Sequence, residues 1–578
     1  MRVPKKKPIP IHPSVVVLLW IFVILALSLS VRIRSFAEPS SNGVTNLDTG
    51  LDYAHVQEAI NAPETQNGHS LSVASGTYFE HVTVNKSLNI WGAGSSETVL
   101  DGESFGTVVH VTVDDVEISG FTIRNGGKGF LESGVFLDYC SNVNVSGNHI
   151  TLCEYGLYIF HSQGIVLRRN QVFGNYEEGI WLYYSTNNLL SENEASGNRY
   201  NFGVDGDRFS HFNNSIDESN TVNGAPIQYI IGASDQYFDD QESIGTLYLI
   251  NSQNVTVRDL CLQDNVYGVF CWNGTNLRIE NVTVSNTNYG IRLQNCIHSS
   301  VRDSRSSQNW VGILLHESDD NVVEGNEAPG NEKGISVYEA EGNRIRGNTV
   351  KNGIFGIRLY SSHSNEIFHN NVINNTVQAE AINSFLNAWS SSGEGNFWSD
   401  YSDGDLDWDG LGDVPYEINP SNLDCCPLLG AFHSFTFTEG KPITIISNST
   451  ITDVNLLTNK TLQFQASNST WGQQLGFCRI CIPHSVIGRP YEVIVEGGAP
   501  LYGNYDLREN ETHSWIYFNF EHSTRKITII PEFPSAYPII LLFLGAFVVL
   551  IASKYMDMYG DKCHRRVWDS SVQEETRA

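Results

Sequence analysis

The chain has 578 residues, with 35 Lys and Arg against 64 Asp and Glu, for a formal net charge of -29. One core of ordinary proportions does not fill that length, so it calls for two or three domains or for a repeat array that grows along an axis. The acidic balance argues against a nucleic-acid partner, which needs a clustered basic face, and 41% hydrophobic with only 17% charged residues argues against a disordered or coiled-coil chain.

At the N-terminus, Arg2, Lys5, Lys6 and Lys7 precede an apolar run over 15–29, and Ser35, Phe36 and Ala37 put small residues where a signal peptidase cuts. Residues 1–37 therefore read as a signal peptide or a signal anchor. Residues 52–62 predict a short amphipathic helix that caps the open first turn of a repeat array, whose bare edge would otherwise invite aggregation.

From there a period takes over. Gly134, Gly156, Gly179 and Gly203 recur at 22, 23 and 24 residues, and Gly268, Gly290, Gly312, Gly334 and Gly356 at 22. Each opens a short alternating strand, as in GVFCW, GIRLQ and GILLH. Asn321, Asn343 and Asn365, and likewise Asn326, Asn348 and Asn370, keep the same phase. A 22-residue unit is too short for a helix pair or a propeller blade, but it fits one turn of a parallel β-helix, whose turns stack at about 4.8 Å and place equivalent residues in columns. Inward columns want residues such as Ile291, Ile313, Ile335 and Ile357. Turn columns want Gly and Asn, which tolerate positive φ, and stacked Asn side chains can bond along the ladder. The predicted solenoid spans 50–430, broken at 205–243 by a longer excursion that reads as a lid or binding loop.

Residues 431–530 lose the period and predict a small β-sandwich. Residues 536–553 are apolar over about 27 Å of helix at about 1.5 Å per residue, a minimal transmembrane span. Lys554, Lys562, Arg565 and Arg566 follow, which places the tail 554–578 in the cytoplasm and the rest outside the cell membrane. Sequons such as Asn85, Asn144, Asn254 and Asn510 suit an exported glycoprotein. Cys140, Cys153, Cys261, Cys271 and Cys296 sit among strand residues as small buried hydrophobes, and Cys478 with Cys481 lacks the second pair a zinc site needs.

Residues 52–126 (YAHVQEAINA, VASGTYFEHVTVNKSLNIWGAG, VEISGFTIRNGG), 216–229 (IDESNTVNGAPIQY), the 22-residue array and 395–418 (GNFWSDYSDGDLDWDGLGDVPYEI) together resemble the NosD-type, pectin-lyase-like β-helix family in its archaeal cell-surface form. The resemblance implies an all-β right-handed parallel solenoid with carbohydrate-binding or sugar-hydrolysing relatives. Copper handling is attached to the family name, but three Met and scattered His give copper no ligand cluster here.

Two sets of residues could carry chemistry. Asp405, Asp407, Asp409 and Asp413 alternate around Gly410 as in calcium loops, although Tyr416 stands where an EF-hand has its bidentate Glu, so a structural calcium ion is expected there. If the residue after each repeat Gly points inward, those two and four after it point outward. They read Phe136 and Asp138, Tyr158 and Phe160, Trp181 and Tyr183, Phe270 and Trp272, Arg292 and Gln294, Leu314 and His316, Ser336 and Tyr338, Arg358 and Tyr360. Such a stripe either stacks on sugar rings, with Asp and Arg reaching hydroxyls, or lies covered as a second core. Asp205, Asp207 and Arg208, with His211, come nearest to a cleavage site but lack a paired carboxylate on the stripe. The expected function is glycan binding or adhesion at the cell surface without turnover; the alternative is an extracellular polysaccharide lyase or glycoside hydrolase.

Overall fold

The computed structural model describes residues 43–239, 243–437, 441–468, 474–521, 523–531 and 546–554. The predicted segment 1–37, most of the predicted span 536–553 and the tail beyond Lys554 lie outside the described residues; 546–553 are helical. Among the described residues no helix is long and apolar enough to cross a membrane. The chain divides into two compact units, 1–224 and 225–578.

In the first unit each turn contributes three short strands. Asn144–Ser146, His149–Thr151 and Tyr155–Phe160 form one turn, and Val166–Arg168, Gln171–Phe173 and Glu178–Tyr183 the next. They pair in parallel and in register, so that Val145 lies over Leu167, Ile150 over Val172, and Leu157 over Ile180. Alternation turns these six side chains inward, and none is more than 2% exposed. At the open end, Val44–Asn46 pairs antiparallel with Leu51–Tyr53 and Ser70–Val73. The capping helix is shorter than predicted, Val56–Asn61, because its first expected residues belong to the strand Leu51–Tyr53. Val56, Ala59 and Ile60 bury its apolar face, and the Glu80 carboxylate accepts the Val56 and Gln57 N–H groups at 2.9 Å each.

In the second unit the 22-residue period is strict. Tyr267–Trp272, Tyr289–Gln294, Val311–His316, Lys333–Tyr338 and Phe355–Tyr360 stack in register, bringing Val269, Ile291, Ile313, Ile335 and Ile357 into one fully buried column. The repeat glycines serve a different purpose from the one expected. They do not take positive φ. A Cβ at Gly290 or Gly312 would instead lie 2.5 Å from the carbonyl oxygen of the next repeat glycine, so it is close stacking that excludes a side chain. The Asn columns likewise avoid positive φ and form buried ladders. Asn343 Nδ2 donates to Asn365 Oδ1 at 3.0 Å, and Asn326 to Asn348 and Asn348 to Asn370 at 2.9 Å each. Positive φ falls on another column, Asn281, Asp303, Gly325 and Gly347.

The described residues of the excursion at 205–243 do not form a lid. In the first unit Ser215–Ile216 and Thr221–Val222 pair in parallel with Leu189–Ser191 and Glu194–Ser196, and only the short helix Phe209–Phe212 departs from the coil. In the second, Ala225–Ile231 pairs with Thr246–Ile250 and Tyr237–Phe238 with Thr256–Arg258. Ile216, Val222, Ile227 and Phe238 are buried, and that apolar spacing keeps the segment in the solenoid despite its lost period.

After the last turns, two antiparallel sheets of five and four strands enclose a separate core that includes Ile445, Phe464, Ile480, Phe518 and Ile527. Cys478 is buried and Cys481 half-buried on one strand, both as free thiols. Cys140, Cys153, Cys271 and Cys296 are buried as expected, whereas Cys261 is exposed at the start of its strand.

Candidate functional site

In the first unit the outward side chains form a wall of stacked rings. Phe136 lies over Tyr158 at 5.2 Å and 8°, and Tyr158 over Trp181 at 4.9 Å and 16°. Phe160 and Tyr183 make a parallel row at 5.8 Å and 4°, and Tyr155 flanks both Tyr158 and Trp181. Offset-parallel rings at the turn spacing are what a β-helix column of aromatics produces. The wall is its own apolar cluster, distinct from the solenoid interior. Phe136 and Tyr158 are buried in it, so the reachable rings are those of Phe160, Trp181 and Tyr183, which are half-buried. His110 stacks on Phe136 at 5.0 Å and sets Nε2 3.3 Å from Asp138.

The surroundings of this wall are acidic. Glu178 is buried and its carboxyl is pushed up to about 7, first by desolvation and then by Glu177 and Glu154. Asp207 is bonded by Arg208 at 3.0 Å and lies 3.2 Å from His211 Nδ1, and the Arg208 bond leads in holding its carboxyl below the usual range. Asp205 Oδ1 accepts the Gly206 N–H at 2.8 Å. These four residues are thus neighbours at the end of a strand, arranged as a bonded turn.

In the second unit the outward columns border a cavity of about 390 Å³, lined among others by Tyr289, Arg292, Trp310, His316, Lys333, Ser336, Tyr338 and Arg358. Its size falls in the range of about 300–1,000 Å³ usual for small-molecule sites. Arg292 is buried beneath Tyr289, its guanidinium carbon 5.0 Å from the ring, and donates to Tyr267 Oη at 2.8 Å and to His316 Nδ1 at 3.2 Å. Arginine keeps its protons, so Nδ1 of His316 is the acceptor and its hydrogen rides on Nε2. Burial and then the Arg292 charge hold His316 down to about 4. Lys333 Nζ sits 3.6 Å above the Trp310 ring, and desolvation lowers its ammonium. Trp310 Nε1 donates to Glu332 at 3.1 Å, and Arg358 Nε to Glu380 at 2.5 Å. Tyr338 and Tyr360 stack at 4.9 Å and 4°.

Of the predicted stripe, Arg292, Leu314, His316, Ser336, Tyr338, Arg358 and Tyr360 line this cavity, but Phe270 and Trp272 are buried and do not. The exposed platform is therefore narrower than the alternation implied. Tyr289, Trp310 and Lys333 escaped the sequence reading. Tyr289 and Lys333 precede a repeat glycine, in a third column aligned as Tyr289, Val311, Lys333 and Phe355. The signal was present, one residue before each glycine.

The acidic loop separates its four carboxylates. Asp405, Asp407 and Asp413 bring ligand oxygens within 4.8 Å of one another. Asp409 is turned away: Arg508 Nη1 lies 2.8 Å from its Oδ2, and Arg479 Nη1 donates to its backbone oxygen at 2.8 Å. Asp405 accepts the Asp409 and Gly410 N–H groups, Asp413 accepts the Leu406 N–H, and Asp407 pairs with Arg508 at 3.2 Å. Among the described residues this is the one group of three or more His, Cys, Asp and Glu able to meet around an ion, and no imidazole or thiolate cluster suits copper.

A parallel solenoid with aromatic outward columns defines the architecture of a parallel β-helix protein; family comparison adds the rest. Residues 73–240 match the family described as "Right handed beta helix region", and residues 212–403 match "Periplasmic copper-binding protein (NosD)". The chain is a right-handed parallel β-helix protein with a NosD-type central segment. It is similar to a cell surface glycoprotein of Methanothermus fervidus, at 32% identity over 18% of this chain and 17% of that protein. It is also similar to a probable ABC transporter binding protein NosD of Pseudomonas aeruginosa, at 50% identity over 9% of this chain and 12% of that one. The matches thus span less than a fifth of these curated relatives. Among solved structures, the A-module of mannuronan C-5 epimerase AlgE6 of Azotobacter vinelandii is similar at 16% identity and TM-score 0.29, over 62% of this chain and 99% of that one. Alginate lyase AlyF-OU02 is similar at 12% and 0.28, over 62% and 91%. At these scores the likeness says nothing about chemistry.

Proposed function

We propose that this chain is a membrane-anchored cell-surface protein that binds glycan on the outward columns of its solenoid without turning it over. The observation that carries the reading is the pairing of part-exposed aromatic rings with fixed polar groups on a stacked scaffold, seen at Trp181 and Tyr183 and again around the 390 Å³ cavity. Rings held at turn spacing offer apolar faces to sugar rings, and side chains locked by their neighbours lose little entropy on binding. The surface location is supported by the predicted terminal segments and by the relative named a cell surface glycoprotein. Glycan-array binding by the full-length chain in detergent should fall about tenfold in Trp181→Ala or Tyr338→Ala, about 1.4 kcal/mol. Unchanged binding in both variants would refute the site.

Cleavage is the second reading, and one observation favours it. Glu178, protonated near neutrality and placed in the acidic surroundings of the aromatic wall, has the ionisation a general acid needs. Release of reducing ends or unsaturated products, abolished in Glu178→Gln, would establish it over binding alone. We also propose that Asp405, Asp407 and Asp413 take a structural calcium ion, with Asp409 left to Arg479 and Arg508.

A further inference from the structure

A second cavity, of about 340 Å³, opens where the acidic loop passes the β-sandwich, and Trp408, Tyr502, Tyr505 and Tyr517 give it aromatic walls. Two of these rings are held from behind: Tyr505 Oη donates to the Tyr491 carbonyl at 2.5 Å, and Tyr517 Oη to Asn519 Oδ1 at 3.3 Å. The other two project toward solvent from backbone that disfavours them. Trp408 is 55% exposed at φ 57° and Tyr502 79% exposed at φ 64°, in the left-handed region where Gly, Asn or Asp is usual and a bulky side chain is an outlier. Rings so exposed add little to the fold, so their strained backbone finds its reason in where it sets them, at the mouth of one cavity.

The charge around these rings is negative. Asp506 is the one charged side chain lining the cavity among the described residues, and the pairing of Asp506–Glu509 with His513–Glu521 sets it directly opposite Tyr517. The Tyr517 hydroxyl is pushed up to about 12, first by burial and then by Asp405, with Asp409 and Asp506 adding to the rise and the Asn519 bond opposing. Nearby, Arg508 is engaged by Asp407 and Asp409, and Arg479 by Glu394 and Asp409. Asp405 and Asp506 pair with no basic side chain among the described residues. That combination selects among cations. A metal ion wants several oxygens in one shell, which a single lining carboxylate does not supply, and a primary ammonium wants an acceptor for each of three N–H groups. A quaternary ammonium has no N–H to satisfy and is held by ring faces in a negative field.

We propose that this cavity binds a small free quaternary ammonium ion of the choline type, with its methyl groups against Trp408, Tyr502, Tyr505 and Tyr517 and its charge facing Asp506. The site lies off the outward columns of the solenoid and does not depend on the glycan reading.

The test is calorimetric titration of the full-length chain, in a detergent without a quaternary ammonium group and with a chelator present, against choline and its neutral isostere 3,3-dimethyl-1-butanol. Choline should bind about tenfold or more tightly than the isostere. Trp408→Ala should lower choline affinity about tenfold and Trp408→Tyr should restore most of it, since the ring face is what the ion meets. Asp506→Asn, a conservative change at an exposed position, should lower choline affinity about threefold and leave the isostere unchanged. Phosphocholine should bind more weakly than choline because its anionic group meets Asp506; tighter binding would overturn the assignment to a free cation in favour of a lipid headgroup. Equal affinity for choline and the isostere, or choline binding that survives Trp408→Ala, would overturn the inference. Saccharide binding lost in Trp408→Ala, with choline inert, would overturn it too and make this cavity part of a glycan platform.

Discussion

In the first unit Phe136, Tyr158 and Trp181 pack face to face among Glu154, Glu177 and Glu178, whereas in the second Tyr289, Trp310 and Tyr338 border Arg292, Lys333 and Arg358. The interiors behind these two faces are alike: aliphatic columns one residue out of phase, with Asn ladders at the corners, Asn148 to Asn170 to Asn193 in one and Asn326 to Asn348 to Asn370 in the other. In a β-helix the residues that hold the fold and those that meet a ligand alternate along the same strand. The outward set can therefore reverse its charge without disturbing the inward set, which is why the fold alone does not specify a ligand.

The largest effect expected tests the shared interior. Asn348 Nδ2 donates to Val323 O and Asn370 Oδ1, and its own Oδ1 accepts from Asn326; Asn170 is bonded in the same pattern. Asn348→Ala and Asn170→Ala should each cost about 3 kcal/mol in denaturant unfolding, since several buried groups lose partners at once. A loss at one site and none at the other would break the equivalence of the two interiors.

Next come the opposite responses of the two faces to pH. His316 has a folded pKa of about 4, below its ordinary 6.5, so the stability it supports is complete above 6.5 and is lost as pH falls toward 4. The burial that leads this shift is joined by the Arg292 charge, and His316→Gln should flatten the acid limb of the melting profile. Glu178 is displaced the other way, from 4.5 up to about 7, first by burial, with Glu177 and Glu154 adding to the rise and Arg199 opposing. Its contribution is complete below 4.5 and is lost as pH rises toward 7, so Glu178→Gln should raise thermal stability at neutral pH. If both variants moved the same limb, the burial that leads both shifts would be wrong for one of the two faces.

The smallest effect concerns the acidic loop. Calcium at the proposed site should raise the melting temperature by about 1 °C, because Arg508 already offsets Asp407 and Asp409 and the ion must compete with it. Asp413→Asn should remove the response. A melting temperature indifferent to calcium and chelator in the unsubstituted chain would retire the site.

The period, the parallel stacking and the inward column from Val269 to Ile357 were legible because each is a rule about one residue type repeated at one spacing. The reason for the repeat glycines was not, since close approach to Gly312 or Gly334 is visible only when the next turn is in place. Alternation correctly put Phe270 and Trp272 opposite the aliphatic column, but whether an outward ring is covered depends on packing that no local pattern contains. The acidic loop shows the same limit. Its spacing announced four converging carboxylates, and Arg479 and Arg508, 70 and 99 residues later in the chain, took Asp409 out of the set. Lys333 and Trp310 were passed over because a cation beside a ring is ordinary in sequence; it is their seat at the edge of a cavity that gives them meaning.

The Asn ladder also bears on how such a chain can change length. In the second unit the rungs Asn343 to Asn365 and Asn348 to Asn370 join residues 22 apart and present an identical plug above and socket below, while Asn370 to Asn396 spans 26. A duplication or deletion of 22 codons within the strict array therefore leaves every remaining rung with a matching neighbour. The rungs that span 23, 26 and 27 residues mark where extra residues loop out between strands without breaking the ladder. Unequal crossing-over can lengthen or shorten this rod a turn at a time, with selection acting on the reach of the molecule and the number of outward rings rather than on its ability to fold.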